Sequence, residues 1–406
     1  MRTQTRRELI PYAIVILFAY VGFSLPLPIL PEMFLGQDRS ILPGVDLHTR
    51  MILLGLVMSS FPLGQFFGSP FLGRLSDRYG RKKIVLMSLA GTTLGYLITA
   101  VSVYSYSVFG MFIGLACCGF CEGNITIAQS VIADLHQGQE QQREKAANFG
   151  LINIFISVGF IVGPLMGAQL ADPSVVSWFT FSTPFWMAAC MTLVGMAIIY
   201  VYSKETLKEK SVEKWKLLSA FNRPKLKNFY IANFFLALGY FAFFRFFPVF
   251  LERQFHFDPA MLSYVMVYDS LAITAGVIWL VPFLSKHLKP VESLCLFGVL
   301  LAVSFAACQF FSSASALWVT LICVGLCLAV VFTNASLLIS NAASPQIQGQ
   351  ALGTLTSVQV LAEFVTGLSG GPLAAFAVTL PLYVGAAMAV VCSLILFYQI
   401  RRCSDV

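Results

Sequence analysis

Charge is what this 406-residue chain has least of: Asp, Glu, Lys and Arg together make up 11% of it, against about 25% in an ordinary soluble domain. With 58% hydrophobic residues beside them, so few charges exclude a water-soluble globule, whose outer shell has to meet solvent. Histidine is nearly as scarce. His48, His136, His256 and His287 all fall in predicted connections, which excludes a histidine proton relay inside an apolar segment. No nucleophile elbow, paired-histidine zinc motif or phosphate-cradling loop occurs, so no enzyme, cofactor or metal site is expected. No basic patch alternates with exposed aromatics on a soluble segment, so the net charge of +7 is not read as nucleic-acid binding. Cysteine is plentiful at ten residues, but nine lie in apolar runs and only Cys403 in a tail. Cys118 and Cys121 have redox spacing without a histidine or a strand-turn context, and are read as small packing residues.

What the chain does have is apolar runs of the length that crosses hydrocarbon, about 20 residues. They fall at 11–31, 50–72, 84–103, 107–133, 147–171, 181–203, 229–251, 261–284, 291–310, 315–341, 351–375 and 378–400. A backbone exposed to lipid has to satisfy its own hydrogen bonds, so each run is expected to be helical. The expectation is an all-α membrane protein of twelve transmembrane helices. The first run follows Arg2, Arg6 and Arg7 like a signal peptide. It ends in Pro26, Pro28 and Pro31 without a small-residue cleavage site, and is read as the first span.

Lysine and arginine set the orientation. With the N-terminus inside, 22 of the 26 fall in inside segments, and Arg39, Arg50 and Arg253 fall outside. The last, Arg245, lies within a span. Both termini are therefore expected in the cytoplasm, the chain being a multi-pass protein of the cell inner membrane.

The connection 204–227 is the longest and most charged, and it is read as a surface-lying amphipathic stretch, with Trp215 at the interface. It predicts three parts: an N-terminal six-helix bundle over 1–203, a cytoplasmic linker over 204–228 and a C-terminal six-helix bundle over 229–406. The halves echo each other. Gly159, Gly163 and Pro164 recur as Gly367, Gly371 and Pro372, and Leu75-Ser76 recurs as Leu284-Ser285. Pro28 and Glu32 correspond to Pro248 and Glu252. Such placement is what an internal six-helix repeat predicts.

Between spans two and three stands Gly73-Arg-Leu-Ser-Asp77-Arg78-Tyr-Gly80-Arg81-Lys82-Lys83. Gly73 and Gly80 permit a tight hairpin. Asp77 can meet both bases and a nearby helix N-terminus, where a carboxylate is favoured. The segment closely resembles the loop signature of the major facilitator superfamily. Span five adds Gly159-x-x-x-Gly163-Pro164-x-x-Gly167, a small-residue face that lets a neighbouring helix approach, with a proline that bends the helix. That pattern is similar to the antiporter motif of the family's drug–proton exporters. The likeness to tetracycline-type exporters extends over most of the first half, through Pro28-Ile-Leu-Pro31 and Ser130-Val-Ile-Ala-Asp134. Where those exporters carry an acid in span one and an arginine in span four, this chain has Ala19 and Leu115.

The resemblance implies a major facilitator fold, a monomer in the lipid bilayer that binds a small-molecule substrate and exchanges it for protons by alternating access. It also implies a cytoplasmic latch built from Gly73, Asp77, Arg78, Gly80 and Arg81. Proton-coupled efflux of amphiphilic compounds by antiport is the first expectation. Uptake of a nutrient, metabolite or siderophore-like metal chelate by symport is the alternative, favoured by the missing exporter acid and by Arg245. A receptor or assembly factor on the same scaffold is the remaining class.

Four ionisable residues lie within spans: Glu122, Arg245, Asp269 and Glu363. A charge there costs at least about 2.5–3.5 kcal/mol on insertion scales and is rarely left facing lipid. Cys118, Glu122, Thr126 and Gln129 share one face of a continuous helix at i, i+4, i+8 and i+11. Gln359, Glu363, Thr366 and Gly370 make a similar stripe on span eleven, and Asn334 and Asn341 lie seven apart on span ten. Glu122 and Glu363 stand near mid-span, as proton-coupling or substrate-binding acids or as buried hydrogen-bonded ones. Counting rise per residue places Arg245 and Asp269 at similar depth. They are expected either as a structural ion pair or as a cationic site with a releasable acid.

Overall fold

A computed structural model describes residues 2–36, 39–123, 127, 130–131, 142–207, 224–309, 314–342 and 348–404. Every regular element among them is a helix. In chain order they are α1 (Arg2–Ser24), α2 (Ile29–Leu35), α3 (Leu47–Tyr79), α4 (Arg81–Tyr104), α5 (Val108–Cys121), α6 (Gln142–Leu170), α7 (Thr183–Tyr202) and α8 (Pro224–Phe255). There follow α9 (Pro259–Ala275), a π-helical stretch (Gly276–Leu280), α10 (Val281–Leu284), α11 (Pro290–Ala307), α12 (Ala314–Ala342), α13 (Gln348–Phe376) and α14 (Leu380–Ser404). Ten described helical segments are long and apolar enough to cross a membrane, and two shorter apolar ones, Val108–Cys121 and Ile154–Leu170, stand beside them.

The chain divides into two compact units, one of residues 1–45 and 60–214, the other of 46–59 and 215–406. In the first, α1 packs on α6 and α7, and α4 packs on α5 and α7. In the second, α8 lies along α13 and α14, α11 along α12 and α14, and α9 along α12.

Some helices bury small residues and expose large apolar ones. Helix α7 buries Ala188, Ala189, Thr192 and Gly195 and exposes Trp186, Leu193, Val194 and Val201. Lipid is as apolar as a leucine, so nothing drives large side chains inward, and small residues take the contacts where backbones meet. In the first unit a Cβ at Gly68 would stand 1.9 Å from the Phe120 carbonyl oxygen, and one at Gly64 2.0 Å from that of Ala116. Helices α3 and α5 thus touch backbone to backbone. The span-five motif does the same against α1. A Cβ at Gly163 would meet Ser24 Oγ at 2.0 Å and one at Gly167 the Leu25 carbonyl at 2.0 Å. Their counterparts in the second unit, Gly367 and Gly371, meet Ser59 and Gly55 at the start of α3. The core of the second unit is aromatic, with Phe243 stacked on Phe305 at 4.2 Å and on Phe247 at 4.5 Å.

Several expected boundaries move. The first span turns at 25–28, where Pro26 and Pro28 withhold amide donors, and resumes as α2. Helix α3 runs on through Gly73 to Tyr79, so Gly73 makes no hairpin. The turn is carried by Gly80 alone at φ 106°, a conformation open to glycine. Helix α8 starts at Pro224, inside the stretch assigned to the linker, while 208–223, with Trp215, lie outside the described residues. Span eight passes through a π stretch before Pro282, whose ring displaces the helix carbonyl behind it. At the start of α3, Asp46 accepts the Thr49 N–H at 2.9 Å and the Thr49 hydroxyl at 2.8 Å. Those bonds hold its carboxyl below the usual aspartate range.

Candidate functional site

Span four was expected as one helix over 107–133, and it breaks at its acid. Helix α5 ends at Cys121, and Glu122 and Gly123 are non-helical, while Ile127, Ser130 and Val131 are helical again. Glu122 has φ −79° and ψ 53°. The carbonyls freed by the break are taken up by hydroxyls from neighbouring helices. Ser88 of α4 donates to the Cys121 carbonyl, and Ser69 of α3 donates to that of Glu122 at 3.5 Å. A break inside a membrane is tolerated only where its polar groups are met in this way. Glu122 itself is 4% exposed, and its Oε2 has no hydrogen-bond partner among the described residues. The straight stripe expected through Cys118, Glu122, Thr126 and Gln129 is interrupted by the break. Thr126, Gln129 and Asp134 lie outside the described residues.

In the second unit, Arg245 of α8 was expected opposite Asp269 of α9. It donates instead through Nη2 to Glu363 Oε1 of α13. The reason is packing: α8 lies along α13, whereas α9 lies along α12, so neighbours in sequence are not the nearest neighbours in space. Asp269 is buried and its Oδ1 has no hydrogen-bond partner among the described residues. Tyr240 lies one turn before Phe244 on α8. Its ring stacks on Phe244 at 5.3 Å and meets Phe332 of α12 edge-on at 5.0 Å. The second unit thus holds one buried ion pair, one further buried acid and an aromatic wall.

The remaining candidates are mostly satisfied locally. The Asn334 amide donates to the Val330 carbonyl at 2.8 Å, and the Thr366 hydroxyl to that of Ala362 at 2.8 Å. Gln359 is half-buried and Gly370 faces the Phe246 ring. In the loop signature, Arg81 is buried and pairs with Asp77, and its Nη1 also donates to Ser76 Oγ at 2.7 Å. Arg78 is exposed and lies over the Tyr79 ring.

Sequence reading missed two groups. Glu205, read only as part of the linker, accepts the Arg81 N–H at 2.8 Å and the Lys82 N–H at 3.2 Å. It therefore caps the start of α4, where a carboxylate meets the positive end of the helix. The second group is Ser88, Thr92 and Tyr96, spaced i, i+4 and i+8 on α4 and all buried. That polar stripe in an apolar span was legible at helical period.

Comparison with known proteins places these features. A model of the Major Facilitator Superfamily matches residues 12–367. The chain is 27% identical over 193 residues to the class B tetracycline resistance protein of Escherichia coli, covering 48% of this chain and 43% of that one. It is 25% identical over 392 residues to the quinolone resistance protein NorA of Staphylococcus aureus, covering 92% of each. The first relatives are matched over 43%, 61% and 43% of their length, less than two thirds. Among solved structures, the human organic anion transporter MFSD10 superposes with a TM-score of 0.71 at 19% identity, over 97% of this chain and 99% of that one. A D-xylose-proton symporter superposes with 0.80 at 12% identity, over 96% and 97%. At these identities the structural matches speak for the fold.

Proposed function

Because the chain belongs to the Major Facilitator Superfamily, we propose that it expels small amphiphilic compounds in exchange for protons, by alternating access in the cell inner membrane. Family membership makes it a multi-pass membrane transporter of a small molecule and not an enzyme. In the proposed arrangement it acts as a monomer with both termini in the cytoplasm, the side holding most of the lysine and arginine.

The observation that carries proton coupling is the tally of buried charge. Among the described residues Glu122, Asp269, Glu363 and Arg245 are buried within the expected spans, with Glu252 buried just past the end of span seven, and Glu363 is used by the Arg245 pair. Glu122 and Asp269 each keep a carboxylate oxygen without a hydrogen-bond partner. A bare carboxylate in that setting is costly, so both acids are proposed to hold protons here and to release them when water reaches them. Glu122 stands at a helix break, a feature that recurs where transporters bind ions and substrates. Asp269, released, would compete with Glu363 for Arg245.

The amphiphilic substrate is favoured by Tyr240, Phe244 and Phe332 in the unit that holds Arg245 and Asp269, an apolar wall with a few fixed polar groups. Export is favoured by relatives named as tetracycline, multidrug and quinolone resistance proteins. The segment of Gly73, Asp77, Arg78, Gly80 and Arg81 is proposed as the cytoplasmic latch, with Arg81 fixed by Asp77 and Ser76. Proton-coupled uptake of an anionic nutrient, metabolite or metal chelate is the second reading. It is favoured by Arg245, which such a substrate could take from Glu363, and by Ala19 where the exporters carry an acid.

The test is substrate-triggered proton movement in proteoliposomes, screening planar amphiphiles against wild type, Glu122→Gln and Asp269→Asn. Wild type is expected to move protons against the substrate's direction. Each variant should lose gradient-driven accumulation yet keep substrate exchange. Full gradient-driven transport by both variants would overturn the coupling role of these acids. Protons moving with the substrate would select uptake.

A further inference from the structure

The stripe on α4 reaches the same place as the break in span four. Ser88 donates to the Cys121 carbonyl, and one turn on, the Thr92 carbonyl accepts from Cys118 Sγ at 3.6 Å. Gly91 and Gly95 bring the helices together, a Cβ at each standing 2.3 Å from Cys121 Sγ and 2.6 Å from Cys118 Sγ. Helix α4 therefore runs antiparallel to α5 with Ser88 level with the break and Tyr96 two turns away. Helical side chains lean toward the N-terminus of their helix, which carries the long Tyr96 side chain back toward Glu122.

Three buried polar atoms belong to α4 and to the break that faces it. Thr92 Oγ1, Tyr96 Oη and Glu122 Oε2 are all buried, and none has a hydrogen-bond partner among the described residues. The titratable side chains beside Glu122 on α5 and α4 are Cys118, Cys121 and Tyr96. Room for the Tyr96 hydroxyl comes from α1, where a Cβ at Gly22 would stand 2.4 Å from it. Buried polar atoms are nearly always satisfied, and three unmet oxygens on α4 and the facing end of α5 suit a water, which takes two to four polar partners. We infer that Thr92, Tyr96 and Glu122 enclose a binding site for one water molecule, neutral or carrying an extra proton, in which the Tyr96 hydroxyl positions the carboxyl of Glu122.

The site deepens the proposed role of Glu122 as proton carrier and rests on it. In the proton step the Glu122 O–H bond breaks and its proton passes to a lone pair of the water, giving hydronium and a carboxylate. The Tyr96 hydroxyl, without giving up its own proton, donates a hydrogen bond to the carboxylate left behind. Tyr96 is thus a positioning residue, and Thr92 anchors the water from the opposite turn of α4.

The test is infrared difference spectroscopy of the full-length protein in lipid on a pH step. The protonated-carboxyl band of Glu122 is the one that Glu122→Gln removes. Tyr96→Phe is expected to move that band to higher frequency, as a carboxyl does on losing a hydrogen bond, and to slow proton-coupled transport at unchanged substrate affinity. Thr92→Val should move it less. Gly22→Ala should move it without removing any polar group, because its methyl displaces the Tyr96 hydroxyl. A Glu122 band that stays in place in all three variants overturns the water site and leaves Glu122 as carrier. No band lost in Glu122→Gln, together with undiminished gradient-driven transport by that variant, overturns both readings.

Discussion

Arg245 and Glu363 illustrate what a single residue is worth inside a membrane protein. Their pair is buried on both sides, so the attraction acts with little screening and offsets part of the desolvation of each charge. Removing one partner of a buried pair costs about 3–5 kcal/mol, because the other charge loses an ion-pair contact that offset its burial. Glu363→Ala is therefore expected to lower thermal stability in detergent by about that amount. Adding Arg245→Met should recover most of the loss, since an apolar side chain of similar volume suits the site. The cycle is read by melting with size-exclusion detection, and a double variant no more stable than Glu363→Ala would remove the pair from the structural account. The presence of ionisable residues at 122, 245, 269 and 363 was legible in the sequence because each interrupts an apolar run. Which acid Arg245 would choose was not, since depth along a helix says nothing about which face meets which neighbour.

At the level of elements, glycine decides how closely helices approach. Gly68 and Gly353 are both helical residues in expected spans, and nothing in their local sequence ranks them. A Cβ at Gly68 would lie 1.9 Å from the Phe120 carbonyl oxygen, whereas one at Gly353 meets nothing within 4 Å. Gly68→Ala should therefore destabilise by at least the 1–3 kcal/mol typical of overpacking, because the atom it meets is backbone and cannot rotate away. Gly353→Ala should be neutral or stabilise by up to about 1 kcal/mol through helix propensity. Equal melting temperatures for the two variants would contradict the α3–α5 contact. Breaks were harder to read than contacts. Hydropathy and period continue straight through Glu122-Gly123 in span four, and the interruption there is held by Ser69 and Ser88, which belong to other helices.

The whole molecule is organised by its solvent. Large apolar side chains such as Trp279, Phe109 and Phe376 are exposed, while Thr92, Thr192 and Ser263 are buried, an arrangement that lipid on the outside accommodates. Orientation is the prediction that belongs to this scale. With both termini in the cytoplasm, Ser174→Cys in a cysteine-free background should be labelled by an impermeant maleimide in intact cells, and His287→Cys only after permeabilisation. The opposite pattern would invert the topology. It would also put the loop signature outside and remove its role as a cytoplasmic latch.

The sequence by itself determined the class of solvent, the spans, the charge asymmetry and the family, because each depends on composition along the chain or on residues close together in it. Helix boundaries and breaks, the partner of Arg245 and the cap that Glu205 places on α4 were decided only by the tertiary structure. Those features join residues far apart in the chain: Glu205 to Arg81 across 124 positions, and Arg245 to Glu363 across 118. The physical reason is that hydropathy measures transfer of a residue into lipid, a property of that residue alone. A hydrogen bond or ion pair is a property of two, and its energy exists only once packing has brought both to the same place.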